Sequence, residues 1–479
     1  MPSPADPEFL APQRSSTASR DDGSSASPPT PPAAAAVAAG AADSADSAGS
    51  ADSAESTESM GRIAVASFIG TAIEFYDFYI YGTAAALVLN GAFFPQLSPV
   101  NATLASFSTY AVAFVARPLG SMIFGHFGDR VGRKSVLVAS LLLMGLSTVA
   151  VGLLPDYDTW GVWAPITLVV LRFLQGIGLG GEWGGAALLA VEHAPAKRRG
   201  LYAAFPQLGP SVGFFAATGI FLILSDSLDD ASFASWGWRV PFLASLILVV
   251  VGLFVRLKIS ETPVFADVMA KNEASRAPFV QVLRRHPKEL LLGAGGMTAA
   301  YGLFYTATTY CLSYATGPLG IGRTTMLVVS LCAVLFLALG TWLSATRSDT
   351  GGRRKLVLLG AAAAVVWGFV LFPLMDTGTS VLVTLALGGA LFCMGLIYGP
   401  MGAYLPELFH TTVRYSGASI AYNLGGVLGG AVTPLVATRL QSSFGSATVG
   451  WYLSVLGAIS LCCVLLLPET RDRSLAAEA

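Results

Sequence analysis

Gly125-His126-Phe127-Gly128-Asp129-Arg130-Val131-Gly132-Arg133-Lys134 is a short, charged, glycine-rich turn between two long apolar runs. A worn copy, Asp349-Thr350-Gly351-Gly352-Arg353-Arg354-Lys355, occupies the same context at an offset of 220 residues (349 − 129). Around these turns the chain is 54% hydrophobic and 12% charged over 479 residues, with a mean hydropathy of +0.64. Soluble domains carry about 25% charged residues, so this apolar surface needs lipid to cover it. A bilayer span takes roughly 20 apolar residues. Twelve such runs are read, near 62–90, 103–124, 136–154, 162–193, 201–225, 238–257, 290–316, 323–345, 355–375, 380–404, 414–439 and 447–467. Runs of this length satisfy their own backbone only as helices. The expected fold is therefore an all-α membrane protein of twelve helices.

Two further markers support a duplication. Glu192 precedes Arg199 by seven residues, and Glu407 precedes Arg414 by seven, at an offset of 215 (407 − 192). Gln207-Leu208-Gly209 with Gly213 matches Asn423-Leu424-Gly425 with Gly429, at an offset of 216 (425 − 209). Two six-helix halves repeated in parallel place a substrate site near mid-membrane, between the halves. That is the pattern of a solute carrier.

The expected organisation is a tail (1–60), a first half (61–257), a linker (258–289), a second half (290–467) and a short end (468–479). Residues 1–60 hold nine Asp/Glu and two Arg among Ala, Ser and Pro. They have too little apolar surface to fold, and they read as a disordered tail or as leader sequence ahead of Met60. Within the linker, Pro278–Arg285 reads as an amphipathic surface helix. One set of loops carries most of the Lys and Arg, while the opposite set holds only Arg239, Arg323 and Arg439. The positive-inside rule then predicts both termini in the cytoplasm of a plasma (inner) membrane protein. Cys311, Cys332, Cys393, Cys462 and Cys463 all fall in apolar runs. They read as small hydrophobes, with neither metal site nor disulfide framework.

The 125–134 decapeptide resembles the loop motif of the major facilitator superfamily. Several further runs resemble its metabolite:proton symporter family: Ile69-Gly70-Thr71-Ala72-Ile73-Glu74-Phe75-Tyr76-Asp77-Phe78, Arg117-Pro118-Leu119-Gly120, Gly180-Gly181-Glu182-Trp183-Gly184-Gly185 and Trp236-Gly237-Trp238-Arg239-Val240-Pro241-Phe242. The resemblance spans roughly residues 61–473. It implies carriage of compounds such as shikimate, 2-oxoglutarate, citrate, proline or betaine, closest to the shikimate-like branch. It also implies gating by Gly125, Asp129, Arg130, Gly132 and Arg133, with Glu192–Arg199 and Glu407–Arg414 as matching latches. Thr350 departs from the pattern, standing where the second turn usually has Arg.

Charges inside the membrane are costly and usually face a cavity or a partner. Glu74 and Asp77 lie three apart on one face of the first span. Arg117 lies in span two, and Arg172 and Glu182 in span four. The four histidines (His126, His193, His286, His410) fall in loops or at helix ends, so the proton carrier is expected among Glu74, Asp77 and Glu182. Desolvation favours a carboxyl's neutral form and a nearby arginine its ionised form, which is a physical basis for coupling. A static ion pair with Arg172 is the plainer alternative. Arg117 also reads as an anchor of the adjoining turn, and is grouped with the gate. Arg172, Tyr76, Tyr301, Tyr305, Thr308, Tyr398, Tyr422 and Asn423 are the candidate substrate contacts. Interhelical hydrogen bonding explains any one of the hydroxyls equally well. The glycine-dense stretches read first as close helix packing.

The chain lacks a phosphate-cradling Gly-x-x-x-x-Gly-Lys-Ser/Thr, a His/Cys metal spacing and a Gly-x-Ser-x-Gly elbow. These absences argue against an enzyme or an ATP-driven pump; neither a cofactor nor a nucleic-acid partner is expected. The leading expectation is proton-coupled symport of a small organic acid or zwitterion by a monomer. An exchanger or exporter remains the alternative, because Gly209-Pro210-Ser211-Val212-Gly213 resembles antiporter motifs. A transporter-like sensor is the third reading.

Overall fold

Lipid offers a backbone no hydrogen-bonding partner, so each crossing must close its own bonds as a helix. The structure, a computed structural model, describes residues 65, 67–131, 133–180, 183–192, 194–258, 278–410 and 413–473, all within the compact unit Ser59–Ala479. The first half contains α1 (67–87), α2 (Pro99–Val131), α3 (Arg133–Leu153), α4 (Trp163–Gly180, with Trp183–Glu192 beyond it), α5 (Arg199–Ser227) and α6 (Val240–Lys258). The second contains α7 (Pro287–Thr316), α8 (Arg323–Gly351), α9 (Arg353–Met375), α10 (Ser380–Glu407), α11 (Arg414–Phe444) and α12 (Ser446–Leu465). A short helix, Pro278–Arg285, precedes α7 where the sequence suggests an amphipathic segment. Nine of the described helices are long and apolar enough to cross a membrane. α3 has a shorter apolar stretch, Val138–Leu153, and α7 is diluted by Gly, Tyr and Thr.

The halves meet along two seams, α5 against α8 and α2 against α11. These are equivalent places in the repeat. Small residues bring the helices of each half together, because lipid supplies no hydrophobic drive between them. A Cβ on Gly213 of α5 would stand 2.7 Å from the Ala72 carbonyl of α1. A Cβ on Gly429 of α11 would overlap the Thr298 carbonyl of α7. The repeated glycines thus do the same job in the same helix pair of each half. Both α7 and α11 contain a π-helical turn, at Thr306–Tyr310 and Gly426–Ala431, and such turns often mark functional sites.

One end of the bundle gathers Arg199, Asp349, Arg353, Glu407, Arg414 and Glu469, and is called the arginine-rich end below. The opposite end carries exposed Trp160, Trp163 and Trp236, the composition of an interfacial aromatic belt.

Candidate functional site

A central cavity lies between the two halves. Phe75 and Tyr79 of α1 enter it from the first half, with Pro210 of α5. Tyr301, Phe304 and Tyr305 of α7, Met394 and Tyr398 of α10, and Tyr422 of α11 complete the wall. Its volume is only about 10 Å³, roughly the space of one water. The rings fill it by packing on one another. Tyr301 stacks on Tyr305 at 6.2 Å and meets Tyr422 edge-on at 5.4 Å, while Tyr79 packs against Phe304 at 5.0 Å. The Tyr398 and Tyr422 hydroxyls lie 3.3 Å apart.

Behind this wall, in the first half, lies a layer of buried charge. Arg117, Arg172, Glu74 and Asp77 are all at most 5% exposed. The Arg117 guanidinium lies 4.3 Å from the Phe78 and Phe114 ring centres. That of Arg172 lies 3.7 Å from the Tyr81 ring and 5.2 Å from those of Phe78 and Tyr110. Cation–π attraction replaces part of the hydration that burial removes. Arg172 also donates to Gln175, whose amide donates to the Thr148 hydroxyl at 2.6 Å and the Asp77 carbonyl at 3.4 Å. Nε and Nη2 of both arginines have no hydrogen-bond partner among the described residues.

At the arginine-rich end the two halves are tied by ions and helix caps. Asp349, at the end of α8, accepts from Gly200 N at 2.7 Å and Leu201 N at 2.9 Å, the first free amides of α5. It also pairs with Arg353 at 2.7 Å. Arg353 is fully buried and pairs with Glu407 at 3.5 Å, while the Thr470 hydroxyl donates to Glu407 at 2.6 Å. Glu469 caps α9 through Arg353 N at 2.8 Å and Arg354 N at 3.1 Å. Gly352 makes room for that cap with φ 95°, where a side chain would be strained and would meet Glu469. The opposite end is tied as well. Arg323 of α8 pairs with Asp230 at 3.1 Å, donates to Ser225 of α5 at 2.8 Å and covers the Phe233 ring at 3.8 Å. With both ends tied, this is a closed conformer.

Several sequence expectations change place. The latch partners differ: Arg414 lies 3.9 Å from Glu192 of the other half, and Glu407 pairs with Arg353 of its own half. Arg199 donates to the Arg473 carbonyl at 2.9 Å. A seven-residue spacing cannot foresee partners that the fold brings in from distant helices. Arg117 is not at the turn, because α2 continues past the apolar run to Val131 and leaves Arg117 deep among Phe rings. Tyr76 turns away from the cavity, its hydroxyl donating to the Pro241 carbonyl of α6 at 3.1 Å. Thr308 donates to the Phe304 carbonyl of its own helix at 2.7 Å. Asn423 reaches across to α2 and α4 instead of lining the cavity. Tyr301, Tyr305, Tyr398 and Tyr422 do come together in its wall. Sequence reading missed Tyr79, Phe304 and Met394. The i, i+4 spacing of Phe75 and Tyr79, beside the noted carboxylates, was the available signal. Glu182, Gly132, the packing of Gly125 and the side chains of Asp129, Arg130 and Arg133 lie outside what the structure describes.

Residues 63–290 and 288–477 match the family of sugar (and other) transporters. The inner membrane metabolite transport protein YhjE of Escherichia coli (strain K12) is 49% identical over 422 residues, 87% of this chain and 96% of its own length. The shikimate transporter of the same organism is 37% identical, over 86% of this chain and 95% of its own. Its proline/betaine transporter is 31% identical, over 86% and 84%. Among solved structures, the xylose transporter XylE of E. coli, in a partially occluded inward-open conformation, superposes with a TM-score of 0.71 at 18% identity. It covers 87% of this chain and 99% of its own, and at that identity it speaks for the fold. This chain therefore belongs to the sugar (and other) transporter family, as a twelve-helix metabolite carrier of the major facilitator superfamily.

Proposed function

We propose that this carrier takes up a small organic acid or zwitterion together with a proton, by alternating access. The observation behind this reading is a tyrosine-walled cavity on the seam backed by a charge layer held entirely in one half. Tyr301, Tyr305, Tyr398 and Tyr422 are well suited to a polar solute, offering hydroxyls and ring faces. Arg172 and Arg117 hold guanidinium groups behind the wall, a chemistry that suits a carboxylate. Two relatives are named for substrates of this chemistry, shikimate being a carboxylate and proline and betaine zwitterions. Glu74 is the leading proton carrier, with Asp77 and Glu182 as the alternatives.

The arginine-rich end is read as cytoplasmic, with both termini on that side of the inner membrane, because basic residues concentrate there. Asp349, Arg353, Glu407 and the Glu192–Arg414 pair then form the inner gate, together with the 125–134 turn. The Arg323–Asp230 pair belongs to the outer gate.

The test is uptake into proteoliposomes with an imposed pH gradient, beside exchange in the same vesicles. Wild-type protein is expected to accumulate substrate on the acid-outside gradient. Glu74→Gln is expected to lose accumulation and keep exchange, since exchange moves no net proton. Wild-type accumulation indifferent to the gradient would overturn the symport reading. Exchange without net uptake would favour the exchanger alternative, to which the Gly209–Gly213 stretch and cavity-lining Pro210 give some support.

A further inference from the structure

Two side-chain amides at matching positions of the repeat make matching bonds across the molecule. Gln207 of α5 donates Nε2 to the Tyr398 carbonyl of α10 at 2.7 Å. Asn423 of α11, at an offset of 216 residues (423 − 207), donates Nδ2 to the Gly180 carbonyl of α4 at 3.4 Å. It also donates to the Ser121 hydroxyl of α2 at 3.0 Å, and Ser121 itself donates to Gly180. Each bond runs from one half to the other, and α4 and α10 hold equivalent places. Both amides are buried, at 1% and 4% exposure. Gly402 provides the seat for the first: a Cβ there would stand 2.9 Å from Gln207 Cγ.

Their height in the membrane follows from the helix rise. Gln207 lies eight residues inside Arg199, about 12 Å, and Asn423 nine residues inside Arg414, about 13.5 Å. Pro210 lines the cavity three residues further along α5, and Tyr422 lines it one residue before Asn423 on α11. Gln207 therefore sits between the cavity and the ionic layer, and Asn423 beside the cavity wall. They are neutral, so salt does not screen them as it screens the half-exposed Glu192 paired with Arg414. Their acceptors include two backbone carbonyls that stay buried while the seam is shut. Removing a donor costs the closed state one buried hydrogen bond and costs the open state none, because that bond exists only while the seam is shut.

We propose that Gln207 and Asn423 are positioning residues of the transport cycle, a symmetry-related pair of clasps that shuts the cavity's arginine-rich end and sets how often it opens. The proposal rests on the alternating-access reading and is independent of the substrate and of proton coupling. Its test uses the full chain with Ala203→Cys as reporter. Ala203 is fully buried, and a Cβ on Gly402 of the other half would lie 3.3 Å from its Cβ. Cys332, Cys462 and Cys463 are replaced by Ser in the same background, since they are exposed or half-exposed. Maleimide labelling of the reporter is timed without substrate or gradient. Gln207→Leu and Asn423→Leu are each expected to speed labelling roughly fivefold, from the loss of a buried hydrogen bond across the seam, and the double variant to multiply the two. Gly402→Val, which unseats Gln207 without removing it, is expected to act in the same direction. Ser121→Ala, which removes one of Asn423's two acceptors, is expected to give about threefold. Raising salt should speed labelling of the parent and leave these ratios unchanged. Labelling within twofold of the parent in both single variants overturns the proposal, even where their melting temperatures fall. Acceleration in only one of them overturns the pairing.

Discussion

Asp349 offers a direct measure of what holds the arginine-rich end shut. Its carboxylate makes three bonds, but they differ in kind. The pair with Arg353 joins α8 to α9 within one half and survives opening. The bonds to Gly200 N and Leu201 N cross the seam and are broken by it. Only the latter enter the open–closed balance. A side-chain cap on a helix N-terminus is worth about 0.5–2 kcal/mol, and a negative charge there adds about 0.3–1. Asp349→Ala is thus expected to shift the balance toward open by about 2 kcal/mol, close to 30-fold. Asp349→Asn keeps an acceptor and loses the charge, so about 1 kcal/mol, or fivefold, is expected. Maleimide labelling of the Ala203→Cys reporter reads this ratio directly, while thermal unfolding reads the separate loss of the Arg353 pair. If Asp349→Ala lowers the melting temperature but leaves labelling within twofold, the carboxylate serves its own half and the cross-seam argument fails.

Other outcomes follow from single contacts. Glu407→Gln leaves fully buried Arg353 with Asp349 as its one ion-pair partner among the described residues. Breaking buried pairs costs about 3–5 kcal/mol, and the surviving partner places this case near the low end, a fall in melting temperature of several degrees. Gly429→Ala drives a Cβ into the Thr298 backbone and to 2.8 Å from Tyr301 Cβ. Overpacking of about 1–3 kcal/mol is expected, against no loss for Gly219→Ala, which has open space; comparable melting of the two would refute the close-packing account. A reporter fused after Ala479 should be active only in its cytoplasmic form, and a strong external signal would reverse the assigned orientation.

The fold was legible because lipid imposes helices and because the duplication left Gly209/Gly213 and Gly425/Gly429 in step. The tyrosines of the cavity were partly legible for the same reason, as Tyr301 and Tyr305 mark one face of a helix. What escaped was rotation about the helix axis. A span apolar on every side has no polar stripe to show which face turns inward. Hydropathy alone therefore does not separate Tyr76 from Tyr79, although one meets α6 and the other the cavity. Partners across the seam escaped too. Gln207 and Asn423 were visible as a matched pair, but their acceptors are backbone carbonyls of the other half, and no spacing records those.

The near-absence of free volume behind the tyrosines has an electrical meaning. Protons cross hydrophobic barriers along files of water, and a space of about 10 Å³ admits roughly one molecule, too few to make a file. In this conformer the stacked rings act as insulation between two compartments at different potential. A carrier whose cavity is filled by aromatic side chains, instead of being flooded, offers protons no water path through this conformer.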